Sequence, residues 1–366
     1  MKWDNSPVYR RRRRMALAVV LLLLATIIAG IVGLVRALSP DNPAEQTAPL
    51  PGEWRRSGKA QSITLAFGGD TQAHNTAARI NEVGLGETGK VLAKADLAMV
   101  NLETVVAEDR TGLKPQPKPF TFATGPKILD SLKEAGVDVV TAANNHGMDF
   151  GEEGMKRMLQ VKAKAPIPMV GLGKDDAEAW APWSTEVKGR KVVIFGATDV
   201  LDEHLDWKAA PGKPGLAKVK DEEGFTRLVE GVKAARAASP DGVVVVYLHS
   251  GTELVRCPTP RQRETMKALS EAGADVVIGS HAHILQPTAT NGNTAMAYGM
   301  GNFVFGSGAP QTRSTGVLTV TVPGSDGAPT MAFDPARVTN GLPVLLTGAE
   351  REQAMVSWQQ LGQGCS

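Results

Sequence analysis

The arrangement that most restricts the fold is a series of short apolar runs, most of them followed at once by side chains that bind metals or move protons. From Ile63 the runs are Ile63–Phe67, Leu97–Val100, Val137–Ala142, Val192–Phe195, Val243–Leu248 and Asp275–Ile278. They are short, rich in β-branched residues and flanked by glycine, which predicts buried strands rather than helices. Between them, Pro126–Ala135, Glu152–Lys164, Glu222–Ala238 and Thr259–Ala272 read as helices. Asp221 and Thr259 are expected as caps, and Gly136 and Gly273 sit where helices end. Strands alternating with helices predict an α/β layered domain. Two further strands, antiparallel, are expected within Ala295–Val322. Beyond Pro323 the texture is that of a loop, with one short helix in the tail from Gly348.

The polar residues fall at the carboxyl ends of these runs. Ile63–Phe67 leads into Gly68-Gly69-Asp70, and Leu97–Val100 into Asn101-Leu102-Glu103. Val137–Ala142 leads into Asn144-Asn145-His146, Val243–Leu248 into His249 and Glu253, and Asp275–Ile278 into His281-Ala282-His283. In an α/β sheet that edge is where sites form. Five of the six histidines, 74, 146, 249, 281 and 283, lie in or beside these turns. Taken singly, each motif reads as a turn or a cap; their shared placement points to a site. Two carboxylates, an Asn carbonyl and several imidazoles suit Mn, Fe or Zn rather than a thiolate or all-oxygen site. A carboxylate bridging two ions about 3.5–4 Å apart can clamp a phosphoryl group and acidify a water. On an extended segment, His281 and His283 are expected to share one side, since side chains alternate with period two.

The amino terminus is of another kind. Arg10–Arg14 precede an uncharged run, Met15–Val35, long enough as a helix to cross about 30 Å of hydrocarbon. The basic block predicts that residues 1–14 stay in the cytoplasm, residues 15–35 anchor the chain in the membrane, and the remainder is exported. A cleavable signal peptide has a shorter apolar region and a small-residue cleavage site, which Val35–Ser39 matches poorly. Residues 36–60 form a Pro-rich polar linker. Residues 1–35 hold six basic residues and one acid, leaving 34 basic against 37 acidic, a net charge of −3, for the rest. No nucleic-acid surface is expected from such a balance. Two cysteines, neither in a CxxC pair, exclude a zinc finger and a disulfide-dense scaffold. An exported domain leaves two alternatives for Cys257 and Cys365: a bridge tying the tail to the core, or two free thiols.

The segments GGDTQAHN (68–75), NLETVV (101–106), ANNHGMDFGEEG (143–154), HSGTEL (249–254), GADVVIGSHAHILQP (273–287) and YGMGNFVFG (298–306) resemble the CapA family of poly-γ-glutamate capsule-synthesis proteins. That family belongs to the calcineurin-like metallophosphoesterases. The resemblance implies a four-layer α/β/β/α sandwich over residues 61–345, followed by a tail at 346–366, with a membrane anchor ahead of the domain. It implies two divalent ions: Asp70 and His283 on the first, Glu103 bridging, and Asn145, His249 and His281 on the second. His146 is implied as general acid or transition-state stabiliser, with Asp149 orienting it. The broad superfamily has Asp-x-His in the first motif; here it is Asp70-Thr71-Gln72-Ala73-His74, which leaves open whether His74 reaches a metal. The bridging position is a glutamate in an Asn-Leu-Glu context.

Two functions follow as expectations. One is a membrane-tethered, extracytoplasmic metallohydrolase acting on a phosphoester or an envelope-polymer linkage, alongside poly-γ-glutamate synthesis and export proteins. The other is a non-catalytic envelope protein assisting export or anchoring of an anionic polymer. A secreted nucleotidase is the weakest reading, because few aromatic residues are available to stack on a base.

Overall fold

The strand Val243–Ser250 shows how both sheets are built. Val243, Val245 and Tyr247 enter one apolar cluster, whereas Val244, Val246 and Leu248 enter another. Alternate residues of a strand face opposite sides, so a run buried on both faces must be apolar throughout. The computed structural model describes residues 60–365, except 203, 206, 307 and 308, and also Gly58. The basic tail, the anchor and all but Gly58 and Ala60 of the linker lie outside the described residues. No helix among the described residues is long and apolar enough to cross a membrane.

The molecule is a mixed α/β sandwich. The first sheet runs Leu342–Leu345, Thr330–Thr339, Ser314–Val322, Ile63–Thr71, Leu97–Leu102, Val139–Thr141 and Met169–Val170, with Asn302–Val304 beside the end of Ile63–Thr71. The second runs Thr288–Asn291, Thr294–Ala297, Val276–His281, Val243–Ser250, Arg190–Thr198 and Trp183–Val187. The strands that end at the site run parallel to one another within each sheet: Ile63–Thr71 with Leu97–Leu102, and Val243–Ser250 with Val276–His281. One core lies between the sheets, with Ile63, Leu65 and Phe67 from the first among Val243, Val245 and Tyr247 of the second. A second core packs the first sheet against helices Lys127–Glu134 and Gly151–Lys162. A third packs the second sheet against Glu222–Ala238 and Pro260–Ala272.

Helix ends follow their caps. The Asp221 side chain accepts the Gly224 N–H at 2.8 Å. Thr259 and Gln262 form a reciprocal capping box, and Gly273 ends that helix at φ +110°, a left-handed conformation glycine adopts without a Cβ clash.

The carboxyl-terminal third departs from expectation. Ala295–Val322 is not one antiparallel pair. Thr294–Ala297 runs parallel to Val276–His281 and antiparallel to Thr288–Asn291, whereas Ser314–Val322 pairs antiparallel with Ile63–Thr71. The segment beyond Pro323 is not a loop but a hairpin, Thr330–Thr339 and Leu342–Leu345, extending the first sheet. Asp334-Pro335 interrupts its pattern, and Pro335 removes a donor, so the apolar periodicity is weak. The tail forms helix Gly348–Gln359, whose Trp358 stacks on Phe333 of the hairpin at 5.1 Å. Cys365 is bonded to Cys257, closing a separation of 108 residues.

Candidate metal centre

Asp70 reaches the site because two glycines precede it. The pairing of Ile63–Thr71 with Leu97–Leu102 is irregular between Phe67 and Asp70. The Asp70 N–H donates to the Gly301 carbonyl at 2.9 Å. A Cβ on Gly69 would stand 1.9 Å from that carbonyl oxygen, so only glycine permits the approach. The Asp70 carboxylate is fully buried; Oδ1 accepts from Asn101 Nδ2 at 2.8 Å and Oδ2 from the His281 backbone N–H at 3.1 Å. Oδ2 is also 3.3 Å from His283 Nδ1. Burial pushes its pKa up, but His283, His249 and Asn101 outweigh this and hold it well below the usual carboxylate range.

Glu103 is the opposite case. It is fully buried, and neither carboxylate oxygen has a hydrogen-bond partner among the described residues. Its nearest cationic-type atoms are His249 Nε2 at 3.5 Å and His146 Nε2 at 3.9 Å. Burial, and then the charge of Asp70, raise its pKa well above the ordinary value. A buried acid without donors needs a proton or a cation. His281 Nδ1 is likewise buried and without a partner.

The second sheet brings the imidazoles. His249 Nε2 lies 2.7 Å from Asn145 Oδ1, and its Nδ1 lies 2.9 Å from Ser280 Oγ and 3.1 Å from Asn101 Nδ2. The His249 and His281 rings are 4.8 Å apart, those of His281 and His283 5.9 Å. Burial, and then His281, push His249 well down; burial, and then His283, push His281 down to about 3. Burial also acts to lower His283, but Glu103 and Asp70 outweigh it and raise that imidazole to about 10. His281 and His283 do not share a side by strand alternation. Their φ angles are +91° and +56°, so a left-handed turn, uncommon for residues with a Cβ, turns both rings inward.

Among the described residues, three groups of ligand-type atoms lie within 4.8 Å of one another: Glu103, His249 and His281; Asp70, Glu103 and His283; and Glu253, His281 and His283. Two donors each about 2.1 Å from one ion stand about 3–3.4 Å apart. The Asn145, His249 and Glu103 atoms, at 2.7 and 3.5 Å, have spacings of that order. The donor set and the unpartnered Glu103 and His281 atoms therefore fit a divalent cation.

His146 stands beside this cluster. Its Nδ1 lies 2.8 Å from Asp149 Oδ2, which also accepts the Phe122 N–H at 2.6 Å. Nε2 is left facing Glu103. Burial lowers the His146 pKa, and Asp149 opposes this. Lys118 completes the support: its ammonium is 2.9 Å from Asp149 Oδ1 and donates to the Asn145 carbonyl.

All eight expected residues are thus gathered at one edge. His74 is not among the groups: it is exposed, 5.7 Å from the Phe122 ring. Sequence reasoning assigned no part to Asn101, Asn144, Ser280 or Asn302. Asn144 Nδ2 donates to Asn101 Oδ1 at 2.9 Å, and Asn302 Oδ1 is 2.8 Å from His283 Nδ1. These side chains orient the ligand-type residues, and Asn101, Asn144 and Asn302 lie in the segments that carry the resemblance. Lys118 is a lone charge with no marker in the sequence, whereas Glu253 is marked by its place at a strand end but is given no ligand role there.

Residues 64–307 match the model of the bacterial capsule synthesis protein PGA_cap family. The chain is similar to the PGA biosynthesis protein CapA of Bacillus subtilis (strain 168), at 31% identity over 229 residues, 62% of this chain and 58% of that one. It is similar to the capsule biosynthesis protein CapA of Bacillus anthracis at 27% identity over 260 residues, 70% of this chain and 62% of that one. The chain thus spans about three fifths of the length of these curated relatives. Among solved structures it is similar to a phosphatase from Mycoplasma pneumoniae, at 16% identity and TM-score 0.47, covering 76% of this chain and 95% of that one.

Proposed function

Since the chain belongs to the bacterial capsule synthesis protein PGA_cap family, we propose that it is a metal-dependent hydrolase of phosphoesterase type serving capsule or poly-γ-glutamate synthesis. The observation that carries this reading is Glu103, a fully buried carboxylate with no hydrogen-bond donor, set among imidazoles of the opposite sheet. Two divalent ions, Mn, Fe or Zn, would be held by Asp70 and His283, by Glu103 between them, and by Asn145, His249 and His281. When bound, such ions acidify a water and polarise the phosphoryl oxygens.

The chain's own groups have separate tasks. Asp149 fixes the His146 ring by accepting from Nδ1, so that Nε2 is presented to the site. Nε2 in its protonated form donates to the leaving-group oxygen. Burial works against that form and Asp149 favours it, and negative charge on a bound phosphoryl group favours it further. Phe122 and Phe305 pack beside His146 and His283, at 4.5 and 5.1 Å between rings, and keep water from those faces.

The domain, residues 61–345, is placed outside the cytoplasm, with residues 15–35 as its anchor and 36–60 as spacer. The Cys257–Cys365 bond supports an oxidising compartment. Poly-γ-glutamate synthesis and export proteins are the proposed partners. The relatives' names speak of biosynthesis rather than hydrolysis, which favours, as second reading, a non-catalytic protein assisting export or anchoring of an anionic polymer. The test is elemental analysis of protein purified without chelator, with turnover of a generic phosphodiester. Bound transition metal with turnover is expected. Metal without turnover of any ester favours the second reading; no retained metal, and no thermal stabilisation by added Mn or Zn, overturns the site.

A further inference from the structure

The two inner groups differ in their access to solvent. Glu103, His249 and His281 are joined by Asn145 Oδ1, 2.7 Å from His249 Nε2. Asp70, Glu103 and His283 have Asn302 Oδ1 in the same relation, 2.8 Å from His283 Nδ1. Of the carboxylates and imidazoles in these two groups, His283 alone is partly exposed, so the ion it would hold is the one open to a donor from the solvent side.

Glu253 is the exposed carboxylate of the third group, and its two imidazole neighbours come one from each inner group. The segment that carries it is fastened to the histidine turn. The Leu254 N–H donates to the Ala282 carbonyl at 2.9 Å, and Gln286 Nε2 to the Val255 carbonyl at 2.8 Å. Cys257 is held by its disulfide. Leu254 is kept at φ +60°, a conformation that persists only where surroundings enforce it.

We propose that Glu253 is a further ligand, binding from the solvent side the divalent cation held by Asp70, Glu103 and His283. The inference rests on the metal reading above. A hard carboxylate oxygen suits such an ion. Unlike the buried donors, Glu253 can exchange its place for water, so it occupies a coordination position at rest and yields it to a substrate oxygen. Its removal weakens resting metal binding and removes a competitor of the substrate.

The test is a titration of the metal-stripped full-length chain with Mn²⁺, followed calorimetrically and by electron paramagnetic resonance, for the wild type and Glu253→Gln. The wild type is expected to bind two ions. The variant should bind one of them about tenfold more weakly, the range for loss of a supporting group around a metal, with the other unchanged. KM for a phosphodiester should fall. Two ions in the wild type with an unchanged titration of Glu253→Gln would overturn this inference and leave the metal reading standing. Equal weakening of both ions that vanishes at high salt would also overturn it, since that is the mark of a diffuse charge effect. A wild type that binds no Mn²⁺ overturns the metal reading and this inference together.

Discussion

The two sheets supply the centre with different chemistry and hold it by different means. The first sheet brings oxygen donors, Asp70, Glu103 and Asn145, on ordinary backbone steadied by the buried amides Asn101 and Asn144. The second brings nitrogen donors, His249, His281 and His283, two of them in left-handed backbone. Oxygen alone suits calcium or magnesium; the mixture suits a first-row transition ion. The first sheet gives these groups no imidazole, and the second gives them only the exposed Glu253 as a carboxylate, so the buried part of the centre is a property of their docking. Strain of about 1–3 kcal/mol per left-handed residue sits on the imidazole side only.

The strongest way to break this comparison is to remove one donor from each sheet. Asp70→Ala and His281→Ala are both expected to abolish turnover. Both should also abolish the added stability that Mn or Zn confers, about 4 kcal/mol at a thousandfold excess over Kd. Differential scanning calorimetry with and without metal reads this. If either variant keeps the full metal-dependent shift, the centre does not depend on both sheets.

His146 sharpens the division, because it lies on the oxygen side without belonging to a ligand group. His146→Ala should keep its metal by elemental analysis and lose about 10²–10⁴-fold in kcat. Loss of metal in this variant would make His146 a ligand instead.

Two smaller changes probe the joint between the sheets. Tyr247, on the second, donates its buried hydroxyl to the Gly68 carbonyl of the first at 2.7 Å. Tyr247→Phe leaves that carbonyl without its donor and should cost about 1–3 kcal/mol in urea unfolding. An unchanged midpoint would show that the apolar interface alone sets the docking. Asp96, after the first-sheet helix Gly86–Leu92, meets Lys188 of the second-sheet hairpin at 2.7 Å. Burial acts to raise its pKa, but the bonds from Lys188 and Thr64 outweigh it and leave it lowered. A lowered carboxylate pKa stabilises the fold above the unfolded value, near pH 4, and that contribution is lost as pH falls through the folded value. Asp96→Asn should therefore cost at most about 1 kcal/mol at pH 7, the pair being partly exposed. The difference from wild type should shrink as the pH falls below about 4; a difference that grows with acidity would contradict the assignment.

Much of this was legible in the residues. The valine-rich runs mark buried strands because no polar residue survives between two cores, and Asp221 and Thr259 mark helix starts because their oxygens cap free N–H groups. The strands nevertheless extend further than the apolar runs, into Ser250 and His281, since the ladder continues through the ligand-type residues themselves. Thr330–Thr339 was hidden by Asp334-Pro335, although Asn340-Gly341, at φ +50° and +84°, is the kind of pair that closes a hairpin. The turn that directs His281 and His283 inward has no sequence marker, because a positive φ at histidine is imposed by its surroundings. Glu253 stands at a strand end that the sequence marks, but its tie to His281 and His283 shows only in the fold, and Lys118 has no marker because its partners, Asp149 and the Asn145 carbonyl, come from a separate strand end.

The position of Ile63–Thr71 within its sheet has a consequence for the newly made chain. One edge of this strand pairs with the nearby Leu97–Leu102, the other with the distant Ser314–Val322. A polypeptide delivered amino end first exposes the second edge, with its row of unpaired N–H and C=O groups, for most of its synthesis. Such an edge is a template for any passing strand, and closing so distant a pairing is slow. The nascent protein is at its most adhesive before the residues from Ser314 onward have emerged.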